Sequence, residues 1–127
     1  MKKSNVGSFE KVNSQLEALL QELTQLVKKS PDNPINKFKL RFINEIIHNS
    51  NEILGEKYKP FPDFMGFNED DLPTNSDVTF IIAQYLNCME KLRADNIHVV
   101  LGHWEWRVED SDESIRTAPP EKIKWRK

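Results

Sequence analysis

The sequence predicts an α+β fold, mainly helical: a three-helix bundle with a C-terminal β-hairpin packed on it. Three observations carry this expectation. Apolar residues recur at intervals of three and four within residues 8–29, 34–54 and 76–95, the spacing that gathers them on one helix face. Each stretch is followed by a residue that ends helices readily, Pro31, Gly55 or Asn96. From His103 the pattern changes to unbroken alternation, with Trp104, Trp106 and Val108 set among His103, Glu105, Arg107 and Glu109. A strand places alternate residues on one side of a sheet.

In the first helix, Phe9, Val12, Leu16, Leu19, Leu20, Leu23, Leu26 and Val27 form one stripe. Ser8 is a suitable N-cap, Lys28 and Lys29 suit the negative C-terminal end, and Pro31 prevents continuation. The leucine-rich stripe is too short for a sustained coiled coil, so packing in a bundle is expected.

The second helix is expected to be capped by Asp32 or Asn33, with Pro34 at its first position, where the missing N–H costs nothing. Ile35, Phe38, Phe42, Ile46 and Ile53 share a face, widened by Leu40, Ile43, Ile47 and Leu54. Lys37, Arg41, Asn44, His48 and Asn51 make the opposite, wetted stripe. Gly55 marks the stop, because glycine alone takes positive φ without strain. The short connection makes the first two helices an antiparallel pair.

The third helix is expected to start from Asn75 or Ser76, with Asp77 at its positive end. Its apolar positions are Val78, Ile81, Ile82, Tyr85, Leu86, Met89 and Leu92. It ends near Asp95–Asn96, or else runs on to Leu101 with Gly102 as its cap. The hairpin then occupies residues 103–118, with Asp110–Glu113 as the turn, Ser114–Ala118 as the return strand, and Pro119 and Pro120 ending it. A lone hairpin is marginal in water, so the tryptophan face should lie on the helices. The rival role for that face is an exposed platform, in which Trp104 and Trp106, with Arg107 or Arg116 beside them, hold a partner or ligand.

Residues 57–75 are long for a connection but too apolar for a flexible linker, since Tyr58, Phe61, Phe64, Met65 and Phe67 fall within them. An ordered loop closing the core is expected, and a lid over a pocket is its functional counterpart.

A chain of 127 residues with 38% hydrophobic and 30% charged residues has the bulk for one domain with a real core. The formal net charge of -2 opposes general nucleic-acid binding, which needs a basic excess. That charge is unevenly spread: residues 61–114 hold three Lys/Arg against twelve Asp/Glu, whereas residues 1–60 hold ten against seven and residues 115–127 five against one. Complementarity between the acidic middle and the basic ends, within one molecule or head to tail, follows from this distribution. The basic tail, residues 119–127, holds Ile123 and Trp125 and is the stretch best suited to grip phosphate. Cys88 is the lone cysteine, so neither an internal disulfide nor a cysteine zinc site is available. The first residues lack the apolar core of a secretory signal, and a cytoplasmic protein without membrane contact is expected.

Chemistry is tested most directly at Glu45 and His48, spaced as the carboxylate–imidazole pairs of bundle metal sites. Glu52 lies about 10 Å further along the axis, too far to join Glu45 on one ion, so a metal role lacks ligands. Glu17, Glu22, Glu90 and Asp95 do not form the paired acids of a phosphate-bound Mg²⁺ site. Cys88 falls on an apolar ridge with no base beside it, and phosphate-cradling glycine motifs are absent. The expected function is therefore a small binding or interaction module without catalysis or cofactor, self-associating as a dimer or holding a protein partner. The alternative is a metal-assisted hydrolase of a phosphorylated small molecule acting through Glu45 and His48.

Overall fold

The computed structural model describes residues 1–121 and contains three helices followed by a two-stranded antiparallel sheet: α1 (Lys3–Lys29), α2 (Lys37–Tyr58), α3 (Asn75–Asp95), β1 (Ile97–Val100) and β2 (His103–Trp106). The α+β, mainly helical class expected from periodicity is the class observed. No described helix is long and apolar enough to cross a membrane.

Helix α1 buries Val6, Phe9, Val12, Leu16 and Leu23, each buried aliphatic or aromatic side chain contributing about 1.5–3 kcal/mol relative to exposure. It starts five residues before the expected N-cap: Ser8 lies inside the helix. The reason is long-range. Lys3 N–H, an unpaired first-turn donor, donates to Asp110 Oδ1 at 2.8 Å. Lys3 Nζ pairs with Glu113 at 2.7 Å, and the Met1 ammonium with Glu109 at 3.2 Å. The acidic run therefore sits at the positive end of the α1 dipole, and part of the charge asymmetry is satisfied within the molecule.

Helix α2 begins at Lys37, not Pro34, because residues 33–35 are occupied in pairing with residues 73–75. Ile35 N–H donates to Pro73 O at 2.8 Å and Asn75 N–H to Asn33 O at 2.9 Å. Asn36 is the cap, accepting from Lys39 N–H. Gly55 does break the helical geometry, at φ 63°, but a further turn follows to Tyr58. The core face is Leu40, Ile43, Ile47 and Leu54, with Ser50 and Asn51 among them. Phe38 and Phe42, expected in the core, are 64% and 49% exposed on the outer side and stack edge-on at 5.1 Å.

Helix α3 is capped by Thr74 rather than Asn75 or Ser76, in a reciprocal capping box with Asp77. Helices α2 and α3 run parallel: their starts meet through Ile35 and Pro73, their middles through Tyr85 and Asn51, and their ends through Tyr58 and Asp95. Helix α1 runs against both. Its end lies at the α3 start, where Ser76 N–H donates to Pro31 O, and its beginning lies at the hairpin, where Phe9 meets Trp106.

Residues 59–74 consequently travel back along the helices. Two asparagines expected to face solvent tie them to α2. Asn44 exchanges both amide bonds with the backbone of Phe67, and Asn51 donates to Phe64 O while accepting from the Tyr85 hydroxyl. Gly66 passes so close that a Cβ there would meet Asn44 Oδ1 at 2.9 Å.

The hairpin lies earlier than expected. Strand β2 does begin at His103, but its principal partner is β1, in the register Ile97↔Trp106, His98↔Glu105, Val99↔Trp104 and Val100↔His103. The turn is Leu101–Gly102, both at positive φ (50° and 82°), the pattern of a type I′ turn whose twist matches that of the strands. The expected return strand contributes only an isolated bridge, Glu105↔Arg116, with Trp106 N–H donating to Ile115 O and Thr117 N–H to Trp104 O.

Candidate functional site

The expected platform residues are divided by the fold. Trp106 is 2% exposed; its ring meets Phe9 at 5.0 Å and its Nε1–H donates to Glu10 at 3.1 Å. Its indole anchors the sheet on α1, as the packing role requires. Trp104, on the same strand face but nearer the turn, is half-buried. Arg116 is exposed on the far side of β2, and Arg107 is exposed where β2 ends.

Trp104 and Arg107 come together in a groove of about 720 Å³ between α3 and the hairpin, within the range of small-ligand sites. Its apolar part is Cys88, Ala94, Ile97, Val99 and Trp104, and Lys91, His98 and Arg107 stand around it. Its two acids, Glu90 and Asp95, are both engaged. Asp95 Oδ2 accepts from the Tyr58 hydroxyl at 2.7 Å. Burial, with that hydrogen bond and the Asp95 charge, pushes the Tyr58 phenol up to about 12. Burial likewise raises the Cys88 thiol above its ordinary value, the opposite of what a nucleophile needs.

Glu90 belongs to a clamp that periodicity did not reveal. Arg93, 7% exposed, spends all five guanidinium N–H groups. Nε and Nη2 donate to the two Glu90 oxygens at 2.9 Å each, Nη1 to Thr117 Oγ1 and Ala118 O, and Nη2 also to Pro119 O. Glu121 N–H donates to Glu90 Oε2. This forked pairing fixes residues 117–121 along α3 and forms one wall of the groove through Pro120. The available signal was an Arg three residues after a Glu, on the ridge that also carries Met89 and Leu92.

Glu45 and His48 are not brought together. Both are exposed on α2, and the His48 imidazole lies 3.6 Å from Glu52 rather than beside Glu45. Among the described residues no three His, Cys, Asp or Glu side chains are grouped to hold a metal. A second groove, about 840 Å³ between α1 and α3, is lined by Glu17, Glu22 and Glu90 with amides such as Asn13 and Gln21. All three of these acids already have partners: Glu17 accepts from Asn13, Glu22 pairs with Lys39 and Glu90 with Arg93. Ile123 and Trp125 of the basic tail lie outside the described residues.

Comparison with known protein families, characterised proteins and solved structures finds no match to this chain.

Proposed function

We propose that this protein is a small non-catalytic binding module of the cytoplasm whose ligand site is the α3–hairpin groove. One observation carries the reading: Trp104 and Arg107 from the hairpin and Lys91 from α3 line a single groove of ligand size. The indole offers a flat apolar wall and the two cations offer orientation. A single cysteine, with no second one in the chain to form a disulfide, suits a reducing compartment.

The test is a titration of the ¹⁵N-labelled full chain with small aromatic and aliphatic carboxylates. Saturable shifts gathered on Lys91, Ala94, Val99 and the Trp104 indole N–H are the expected result. Shifts scattered over the surface, or none at millimolar probe, overturn the reading.

Self-association as a dimer is a second proposal, favoured by the exposed Phe38–Phe42 stack on α2. Adjacent exposed phenylalanines on one helix face are an apolar patch of the kind that interfaces cover. Sedimentation of the full chain should give a dimer that Phe38→Glu converts to monomer; a monomer at all concentrations removes this proposal.

A further inference from the structure

The sheet has one open edge, and it borders the groove. Trp104 and Trp106 give their backbone groups to Ile115 and Thr117, on the side of β2 away from β1. In an antiparallel pair, residues facing each other share the same orientation of their polar groups. Val99, opposite Trp104, therefore turns its N–H and C=O groups outward to solvent, whereas Ile97, opposite Trp106 and oriented alike, is buried at 3% exposure. Among the described residues no backbone group meets those of Val99. Sheet edges are ordinarily blunted by lysine, proline or a bulge. Strand β1, Ile97-His98-Val99-Val100, has none of these, and Val99 is 55% exposed.

The charges beside this edge select among occupants. Residues 61–114 contain only three basic side chains, Lys91, Arg93 and Arg107. Lys91 and Arg107 line the groove and neither forms an ion pair among the described residues. Arg93 is consumed by Glu90 and residues 117–119. The lining carries Lys91 and Arg107 against Glu90 and Asp95, and because Glu90 is neutralised by the buried Arg93 behind it, one positive charge remains in the most acidic part of the chain. A second copy pairing through its own β1 would bring like charge to like charge, which costs free energy.

We propose that the groove receives an extended acidic peptide, which adds a strand along the open edge of β1, places an apolar side chain over Trp104 and directs carboxylates to Lys91 and Arg107. This is recognition by strand addition: main-chain bonds supply affinity, and alternate side chains supply specificity. It rests on the reading of the groove as the binding site, and it adds the class of partner.

The experiment titrates the ¹⁵N-labelled full chain with a blocked hexapeptide alternating Glu and Val. Its controls are the Lys–Val counterpart and the acidic peptide N-methylated at alternate amides. Val99→Pro removes the outward N–H while sparing the bonds between β1 and β2, and Lys91→Glu with Arg107→Glu reverses the charge. The acidic peptide should shift β1 and the facing side of α3. Val99→Pro, N-methylation and charge reversal should each weaken it roughly tenfold, about 1.4 kcal/mol, and the Lys–Val peptide should not bind. If Val99→Pro fails to fold, the N-methylated peptide still decides. Equal binding of the methylated and unmethylated peptides overturns strand addition. Carboxylate fragments shifting the groove while no peptide binds overturns this inference and leaves the binding reading standing; silence from both removes both. A dimer that Val99→Pro abolishes assigns the edge to a second copy and overturns the peptide.

Discussion

Residues 59–74 and residues 107–121 are both long connections laid on the helices, but opposite chemistry holds them. The first is held by neutral groups: Asn44 and Asn51 act as backbone surrogates, and Phe64 packs 5.2 Å from Phe67 and 6.5 Å from Tyr85. The second adds charge to the backbone bonds that Ile115 and Thr117 make with β2. Asp110 and Glu113 meet the start of α1, and Arg93 with Glu90 clasps residues 117–121. An acidic, polar segment that cannot bury itself can still be fixed if a helix end or a guanidinium awaits it. An aromatic segment needs only its few polar atoms satisfied.

Breaking the charged side at its buried point should have the largest effect. Arg93→Ala strips Glu90 of its cation and leaves three acceptors in residues 117–119 without a donor, and about 3–5 kcal/mol of stability is expected to go. Denaturant unfolding measures the loss, and proteolysis near Thr117 should appear before global unfolding. The matching break on the neutral side is Asn51→Leu, which orphans the Phe64 carbonyl and the Tyr85 hydroxyl at a cost of about 2–3 kcal/mol. That loss should be the same at about 0.1 M and about 1 M salt; a salt-dependent loss would contradict the distinction drawn between the two segments. Asp110→Asn tests the exposed end of the charged segment. A smaller effect of about 0.5 kcal/mol, shrinking as salt rises, is expected at the helix terminus.

The smallest effect is spectroscopic. Folding raises the Tyr58 phenol from 10.0 to about 12, so its protonated form stabilises the fold fully below pH 10, and that contribution is lost as pH rises towards 12. Burial raises the Tyr85 phenol as well, so ultraviolet titration should show both tyrosines ionising late, and Tyr58→Phe should remove only the Tyr58 part of that component. An ordinary midpoint for Tyr58 would mean that its bond to Asp95 does not persist in solution.

Three helices and a terminal sheet could be read from the sequence because periodicity reports on burial, and most of each helix obeys it. The failures lie where a distant partner overrides a local signal. Ser8 looks like a cap, yet Asp110 lets α1 begin earlier. Asn44 and Asn51 look wetted because their amides are polar, yet they face a loop whose course no local pattern reveals. On α2, Phe38 and Phe42 shared spacing with true core positions on a helix apolar around much of its circumference, so period alone could not choose the buried side. Strand β1 was hidden because Ile97–Val100 continues the apolar spacing of α3, and Gly102 suits a helix end as well as a tight turn. Of the candidate site, Trp104 and Arg107 were identifiable from strand alternation and charge. Lys91 and the open edge depend on how the hairpin meets α3, which alternation does not encode.

The parallel course of α2 and α3 has a consequence for the order of assembly. Helices α1 and α2 are joined by a short connection and can meet early, but α3 docks only after residues 59–74 have crossed the length of a helix, and closing a longer loop is entropically slower. If that traverse limits refolding, substitutions at Asn44 and Asn51 will slow the refolding rate, whereas changes in the late-forming hairpin will act chiefly on the unfolding rate.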